Sequence, residues 1–288
     1  GVLGIVKTKS SKVIDPTKVK VLGYVCDEKE RIINTRQFPL VIAKKTEKKY
    51  PRARLILVVG TAMNSGKSAA AVACCWALNA MGYTVRASKV TGTASLKDIL
   101  HMNDAGADPF ADFSFLGYPS TYLLPDDEML HIFNTLDLKY ANNKENYWVV
   151  EFADGIMQRE TAMLLNSGDV RSRIHKLIFC AADAFGAIGG LEVLKQQFNL
   201  TPDAISGICS SSPLHVQEPW ALRMDLLLSA RPSSCFASSY RDRRKTKFFG
   251  GPGERSSLAD CLFPQQRGGG GVGARRQPLN NKGRAGLC

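Results

Sequence analysis

The sequence predicts an α/β protein, a mostly parallel sheet with helices on both faces. Three observations predict it. Segments of strand length, most of them rich in Val, Ile or Leu, occur at 55–59, 84–90, 147–152, 176–181 and 204–209. Helix-length segments at 66–81, 96–105, 126–136, 156–165 and 187–198 alternate with them. The apolar pattern then stops after Leu228. Strands buried on both faces read as unbroken apolar runs, and parallel neighbours need a crossover that a helix supplies.

The chain divides into three pieces. Residues 1–50 carry short extended-looking runs at 21–25 and 38–43 between charged turns. They are expected to form a small β segment or the end of a larger N-terminal domain. Residues 51–228 are the α/β body. In residues 229–288 Gly, Ser, Arg, Pro and Cys replace the periodic pattern, and ten of the chain's 25 Gly lie there. Such a composition buries too little apolar surface to offset the entropy of ordering. It reads as a flexible basic tail or as the product of a shifted reading frame, breaking where another strand and helix would extend the sheet.

At 288 residues, 44% apolar and 22% charged, the chain can bury a sizeable core. This is not the composition of a wholly disordered, collagen-like or disulfide-scaffold protein. The alanine-rich run 68–81 suits a buried helix better than a membrane span. The first segment lacks a secretory h-region, so the expected compartment is the cytoplasm. The net charge of +12 resides at the ends: residues 1–50 carry +7 and residues 229–288 carry +9, against −4 for the body. Attraction to nucleic acid follows local charge density, so the body has no footprint for it. The basic ends, with no regularly interleaved aromatics, read as solvated segments. The 8 Cys include no C-x-x-C and the four His no H-E-x-x-H. Neither a zinc site nor a disulfide framework is expected, and the thiols imply a reducing compartment.

The strongest chemical signal begins at the first strand of the body. Leu55-Ile-Leu-Val-Val-Gly-Thr-Ala-Met-Asn-Ser-Gly-Lys-Ser68 runs from an apolar strand through a loop into a helix-forming segment. Loop N–H groups and a helix N-terminus form an anion cradle, so Gly60, Thr61, Asn64, Ser65, Gly66, Lys67 and Ser68 are predicted to surround a phosphate chain. Lys67 would neutralise its terminal phosphates and Ser68 would ligate Mg²⁺. Five residues separate Gly60 from Gly66 rather than the usual four, leaving Thr61 where the first Gly normally stands. A second strand, 147–152, ends in the carboxylates Glu151 and Asp154, placed to orient Mg²⁺ or an attacking water. No N-K-x-D guanine-reading motif occurs, so ATP is preferred over GTP.

The loop Gly60-Thr-x-x-x-x-Gly-Lys-Ser68 resembles that of dethiobiotin synthetases, in the P-loop class that also includes cobyrinic acid amide synthases and septum-site ATPases. Three further segments continue the likeness. Lys89-Val-Thr-Gly-Thr93 is similar to the K-P-x-x-[TS]-G segment, which implies substrate and phosphate contacts for Lys89, Thr91, Gly92 and Thr93. Asp104, in Asn-Asp-Ala-Gly, is similar to an acidic Mg²⁺ ligand, and Val150-Glu151-Phe-Ala-Asp-Gly155 to V-E-G-A-G-G, whose Glu ligates metal. The chain also resembles bacterial P-loop proteins with a G-T-x-M-N-x-G-K-[ST] loop, in which Ala-Asp-Gly recurs with Gln158-Arg-Glu-Thr161. The likeness covers about residues 51–215. It departs at Ala62, where dethiobiotin synthetases have Asp, and at Phe152, Ala153 and Asp154, so substrate identity is not carried over.

Taken together these readings predict an ATP- and Mg²⁺-binding enzyme of ligase or synthetase type that activates a small metabolite. Lys67, Lys89 and Glu151 are its expected catalytic residues. Ser68, Asp104 and Glu151 would hold the metal, and Lys89, Thr91, Gly92, Thr93 and Asp154 would face the substrate. The resemblance also implies a homodimer. The alternatives are a nucleotide-gated regulatory ATPase and a non-catalytic nucleotide-binding adaptor.

Overall fold

A computed structural model describes residues 3–9, 11, 14–44 and 50–211 of the chain. It contains a six-stranded, all-parallel sheet in the order β3-β2-β4-β1-β5-β6. The strands are β1 (Arg54–Gly60), β2 (Val85–Lys89), β3 (Ala107–Asp112), β4 (Tyr147–Glu151), β5 (Ile174–Cys180) and β6 (Ala204–Ser206). The helices are α1 (Lys67–Ala80), α2 (Leu96–Asp104), α3 (Asp126–Tyr140), α4 (Arg159–Asn166), α5 (Gly168–Arg173) and α6 (Ala184–Phe198).

Alternation along β1 splits the core into two layers, because successive strand side chains leave opposite faces. Ile56 and Val58 join Ala71, Cys74, Cys75 and Leu78 of α1 and Ile99 and Met102 of α2. Leu55, Leu57 and Val59 pack on the other face with Ile132, Phe133 and Leu136 of α3, Leu164 and Leu165 of α4, and Leu194 and Phe198 of α6. Burial on both faces explains the unbroken apolar run of β1. Trp148 of β4 is fully buried and its indole N–H donates to Ser88 Oγ at 3.0 Å, which satisfies its one polar atom.

Five strands and five helices stand where the sequence predicts them, with ends shifted by a few residues. The last predicted strand, 204–209, stops at Ser206 and turns at Gly207 into a short 3-10 turn, Ile208–Ser210. β3 and α5 were not foreseen. β3 reads Ala-Asp-Pro-Phe-Ala-Asp and is an edge strand, where Pro and exposed charge are tolerated, so it carries no apolar run.

The small β segment expected within 1–50 is reduced, among the described residues, to a single antiparallel bridge between Cys26 and Ile32. The run at 38–43 instead straps the edge beyond β3. Leu40 N–H donates to Phe115 O at 2.7 Å, Thr35 Oγ1 to Gly117 O at 2.7 Å, and Val41 is buried in the core. Arg36 lies over the Tyr118 ring at 4.6 Å and pairs with Glu128 at 3.1 Å. The tail expected at 229–288 lies outside the described residues, as does the last part of the predicted body, 212–228.

Candidate functional site

The site forms where β1, β2 and β4 end, at the carboxyl edge of the sheet, where open parallel sheets bind ligands. Gly60 pairs with Cys180 of β5, and Thr61 N–H still donates to Cys180 O at 2.9 Å. The ladder therefore runs one residue longer than β1 itself, which accounts for the five-residue spacing: the free loop starts at Ala62. A Cβ on Gly60 would lie 2.4 Å from Ser65 Oγ and 2.6 Å from Cys180 O, so only glycine lets the loop fold back over the strand end. Gly66 has φ +97°, and its Cβ would meet Gly207 Cα at 2.7 Å. The loop is thus seated against the turn after β6, where Ile208 N–H donates to Ser65 O.

Among the described residues, the backbone N–H groups of 62–66 donate to no protein acceptor. The first N–H groups of α1 follow directly, and a helix start leaves such donors without intrahelical partners. Ser65 is fully buried, yet its Oγ has no hydrogen-bond partner. Lys67 is 5% exposed, and its ammonium donates to Ala62 O at 2.8 Å, folding over its own loop. Burial lowers the Lys67 pKa, against the opposing charges of Glu151 and Asp154. Ser68 Oγ donates to Glu151 Oε1 at 3.0 Å, while Glu151 Oε2 is buried with no partner. Burial pushes the Glu151 carboxyl above its ordinary range, and Lys89, Ser68 and Lys67 pull it back.

The expected substrate residues divide. Lys89 is 7% exposed, ends β2 in register with Glu151, and pairs with Asp98 in the first turn of α2. Asp154 is close enough to favour the charged form of Lys67, and its backbone N–H is held by Gln158 Oε1 at 2.7 Å. Thr93 is exposed and faces Ser120 across an isolated bridge. Thr91 is turned inward, its hydroxyl on Ala153 O, and Gly92 is pinned to Thr121 by both its N–H and its carbonyl. Both hold the loop rather than face a ligand. Ser120 and Thr121 are thereby tied to the loop after β2.

Asp104 does not join the cluster. It closes α2, which starts after the end of β2 and runs back to the start of the parallel strand β3. The adjoining Gly106 lies against Asn79 near the end of α1, at the opposite edge of the sheet from Ser68 and Glu151. Asp98 is the acidic residue of α2 that reaches the site. Its sequence signal was its place in the first turn of a helix following a strand-end Lys.

The Gln158-Arg-Glu-Thr161 segment braces the site without facing it. Thr161 Oγ1 donates to Ala153 O at 2.6 Å and the buried Glu160 accepts from Leu123 N–H at 2.7 Å. Arg159 is spent on Leu124 O and Asp126, Arg171 on Phe198 O, and Asp183 caps α6 through Gly186 N–H. None of these three is presented to a phosphate.

The arrangement has the architecture of a P-loop α/β protein: central strand, anion loop, and a helix opening with Lys and Ser. No family model matches the chain, and no curated protein matches it. Among solved structures it is similar to the signal recognition particle receptor FtsY from Elizabethkingia anophelis, with a TM-score of 0.37 and 12% identity over 60% of this chain and 58% of that one. The same receptor in complex with GDP gives a TM-score of 0.39 and 10% identity, covering 81% and 70%. A ParA family ATPase from Chlorobium tepidum TLS gives 0.28 and 11%, covering 62% and 92%. The chain thus spans somewhat over half of the first receptor chain. None of these likenesses is close enough to lend this chain a residue role or an activity.

Proposed function

We propose that residues 60–68 bind a Mg²⁺–nucleoside triphosphate, ATP in preference to GTP, and that the protein cleaves it to activate a small metabolite, as ligases and synthetases do. The observation that carries the phosphate reading is the combination at the loop: N–H groups of 62–66 without acceptors, beside a buried Lys67 whose only described hydrogen bond is to its own loop. An anionic phosphate chain supplies both with partners. The metal also fits. Ser68 Oγ and Glu151 are hard oxygen donors, and Glu151 Oε2 is a buried acceptor with nothing to accept from. Among the described residues no group of three His, Cys, Asp or Glu could hold a metal alone, so phosphate oxygens would complete the shell. Bound there, Mg²⁺ would offset the charge of the terminal phosphates.

The chain's own groups then do what phosphoryl transfer needs, mainly positioning and electrostatics. Loop N–H groups hold the phosphates, and Lys67 moves from Ala62 O onto the transferring group. Lys89, Thr93 and Asp154 border the space where an acceptor would lie. The test is nucleotide cleavage by the full chain with and without a panel of small carboxylates. Phosphate release that requires one of them supports the synthetase reading, and release indifferent to all of them sinks it.

A nucleotide-gated regulatory protein is the second reading, and one observation favours it. Met63 and Met157 in loops, Phe185 in the first turn of α6 and Ile208 in the turn after β6, all at the carboxyl edge, are 64%, 70%, 83% and 45% exposed. Clustered exposed apolar side chains mark a surface that a partner covers. Turnover stimulated by a protein partner rather than by a small acid would favour this reading. Among the described residues no helix is long and apolar enough to cross a membrane.

A further inference from the structure

Lys89 and Glu151 end adjacent parallel strands as register partners, so their side chains leave the same face of the sheet. Both are buried, at 7% and 2% exposure. Opposite charges so placed pair with each other unless one finds another partner. Yet Glu151 Oε1 takes its hydrogen bond from Ser68, its Oε2 takes none, and the Lys89 ammonium is on Asp98. An ammonium moved onto Glu151 would cancel its charge and occupy the oxygen that a cation needs.

We propose that Asp98 is a positioning residue that holds Lys89 off Glu151 and so keeps the Glu151 carboxylate open toward a divalent cation. This rests on the Mg²⁺–nucleotide reading above. Asp98 also sits in the first turn of α2, where an acidic side chain favours the helix start. Helix support alone would not explain its pairing with a strand-end lysine, and the experiment separates the two roles.

The affinity of the full chain for ATP is measured with and without Mg²⁺ in wild type, Asp98→Ala and the double variant Asp98→Ala/Lys89→Met. In Asp98→Ala the gain in affinity that Mg²⁺ brings falls roughly tenfold or more, the scale of a close charge on a buried carboxylate. Affinity without Mg²⁺ does not fall. The double variant regains the Mg²⁺ gain, because the intruding ammonium is gone. A full Mg²⁺ gain in Asp98→Ala, or a double variant no better than the single, overturns the proposal. A ligand-free crystal structure of Asp98→Ala decides it independently of nucleotide. Lys89 Nζ within hydrogen-bond distance of Glu151 is expected, and Lys89 turned elsewhere overturns it. Wild type that binds no nucleotide would end the reading of the preceding subsection, while this structure would still settle the role of Asp98. Asp98→Asn, which keeps the side-chain shape, is held to the same outcomes where the Ala variant does not fold.

Discussion

The two edges of the sheet both carry buried charge, and they treat it differently. At the amino edge the charged groups have ion-pair partners, although Arg52 Nη1 and Nη2 and Arg86 Nε are buried without a hydrogen bond. Arg173 grips Asp137 through Nε and Nη2 at 3.0–3.3 Å and also donates to Ala53 O, while Arg52 adds an ion pair to Asp137 at 2.7 Å. Asp203 pairs with Lys176 at 2.8 Å and accepts Leu177 N–H at 2.9 Å. At the carboxyl edge Ser65 Oγ and Glu151 Oε2 are buried without partners, and Lys67 leans on a loop carbonyl. Closed networks hold a fold together, whereas buried polar atoms left open cost stability and need a reason to be there. On the proposed reading, a ligand carrying several anionic oxygens and a cation would be that reason at the carboxyl edge.

The contrast breaks most sharply if the amino edge proves dispensable. Asp137→Ala strands Arg173 and Arg52 and is expected to cost roughly 3 kcal/mol, the scale of a broken buried pair. Chemical denaturation would show it, with nucleotide affinity unchanged. Lys67→Ala should do the reverse. Triphosphate affinity falls about 10- to 100-fold, the loss of charge-assisted hydrogen bonds, while ligand-free stability holds or rises because a desolvated ammonium is gone.

Glu151→Gln sharpens the comparison through pH. Burial raises the folded Glu151 pKa above its ordinary value of 4.5, so the native state holds a proton that the unfolded chain has released. Native stability therefore falls as pH rises from about 4.5 through the folded value, and the deficit persists above it. Subtracting the Glu151→Gln denaturation profile from the wild-type profile should show that fall in ligand-free protein. The same variant should lose the affinity gained from Mg²⁺. A flat difference profile would mean Glu151 is solvated or paired. The smallest effect belongs to Ser65→Ala. Removing an unpartnered hydroxyl leaves ligand-free stability within about 1 kcal/mol or raises it, and calorimetry would check this.

How far the sequence disclosed these edges follows from physics. β1 and β4 are buried on both faces and so wrote themselves as apolar runs, and the loop wrote itself as a strand, Gly66-Lys-Ser and a helix start. β3 left no such trace, since an edge strand needs no second apolar face. The N-terminal run at 21–25 was apolar enough to look like a strand, but Val21, Leu22, Tyr24 and Val25 are exposed and, among the described residues, no sheet receives them. The acid of α2 shows the limit most clearly. Asp98 and Asp104 lie six residues apart, about 9 Å along a helix axis, and motif spacing pointed to Asp104. Helix direction pointed to Asp98, because a crossover helix begins beside the strand end it leaves. Thr91 likewise matched a motif while facing Ala153, which spacing does not reveal.

The most direct test of the open carboxyl edge is a thermal-shift titration of the full chain with ATP and GTP, with and without Mg²⁺, beside Lys67→Ala. At 100 times the dissociation constant, ligand adds about 2.7 kcal/mol of stability, worth several degrees in a domain of this size. A Mg²⁺-dependent shift that disappears in Lys67→Ala is the predicted result. A cooperatively melting wild type that neither nucleotide shifts would contradict the account.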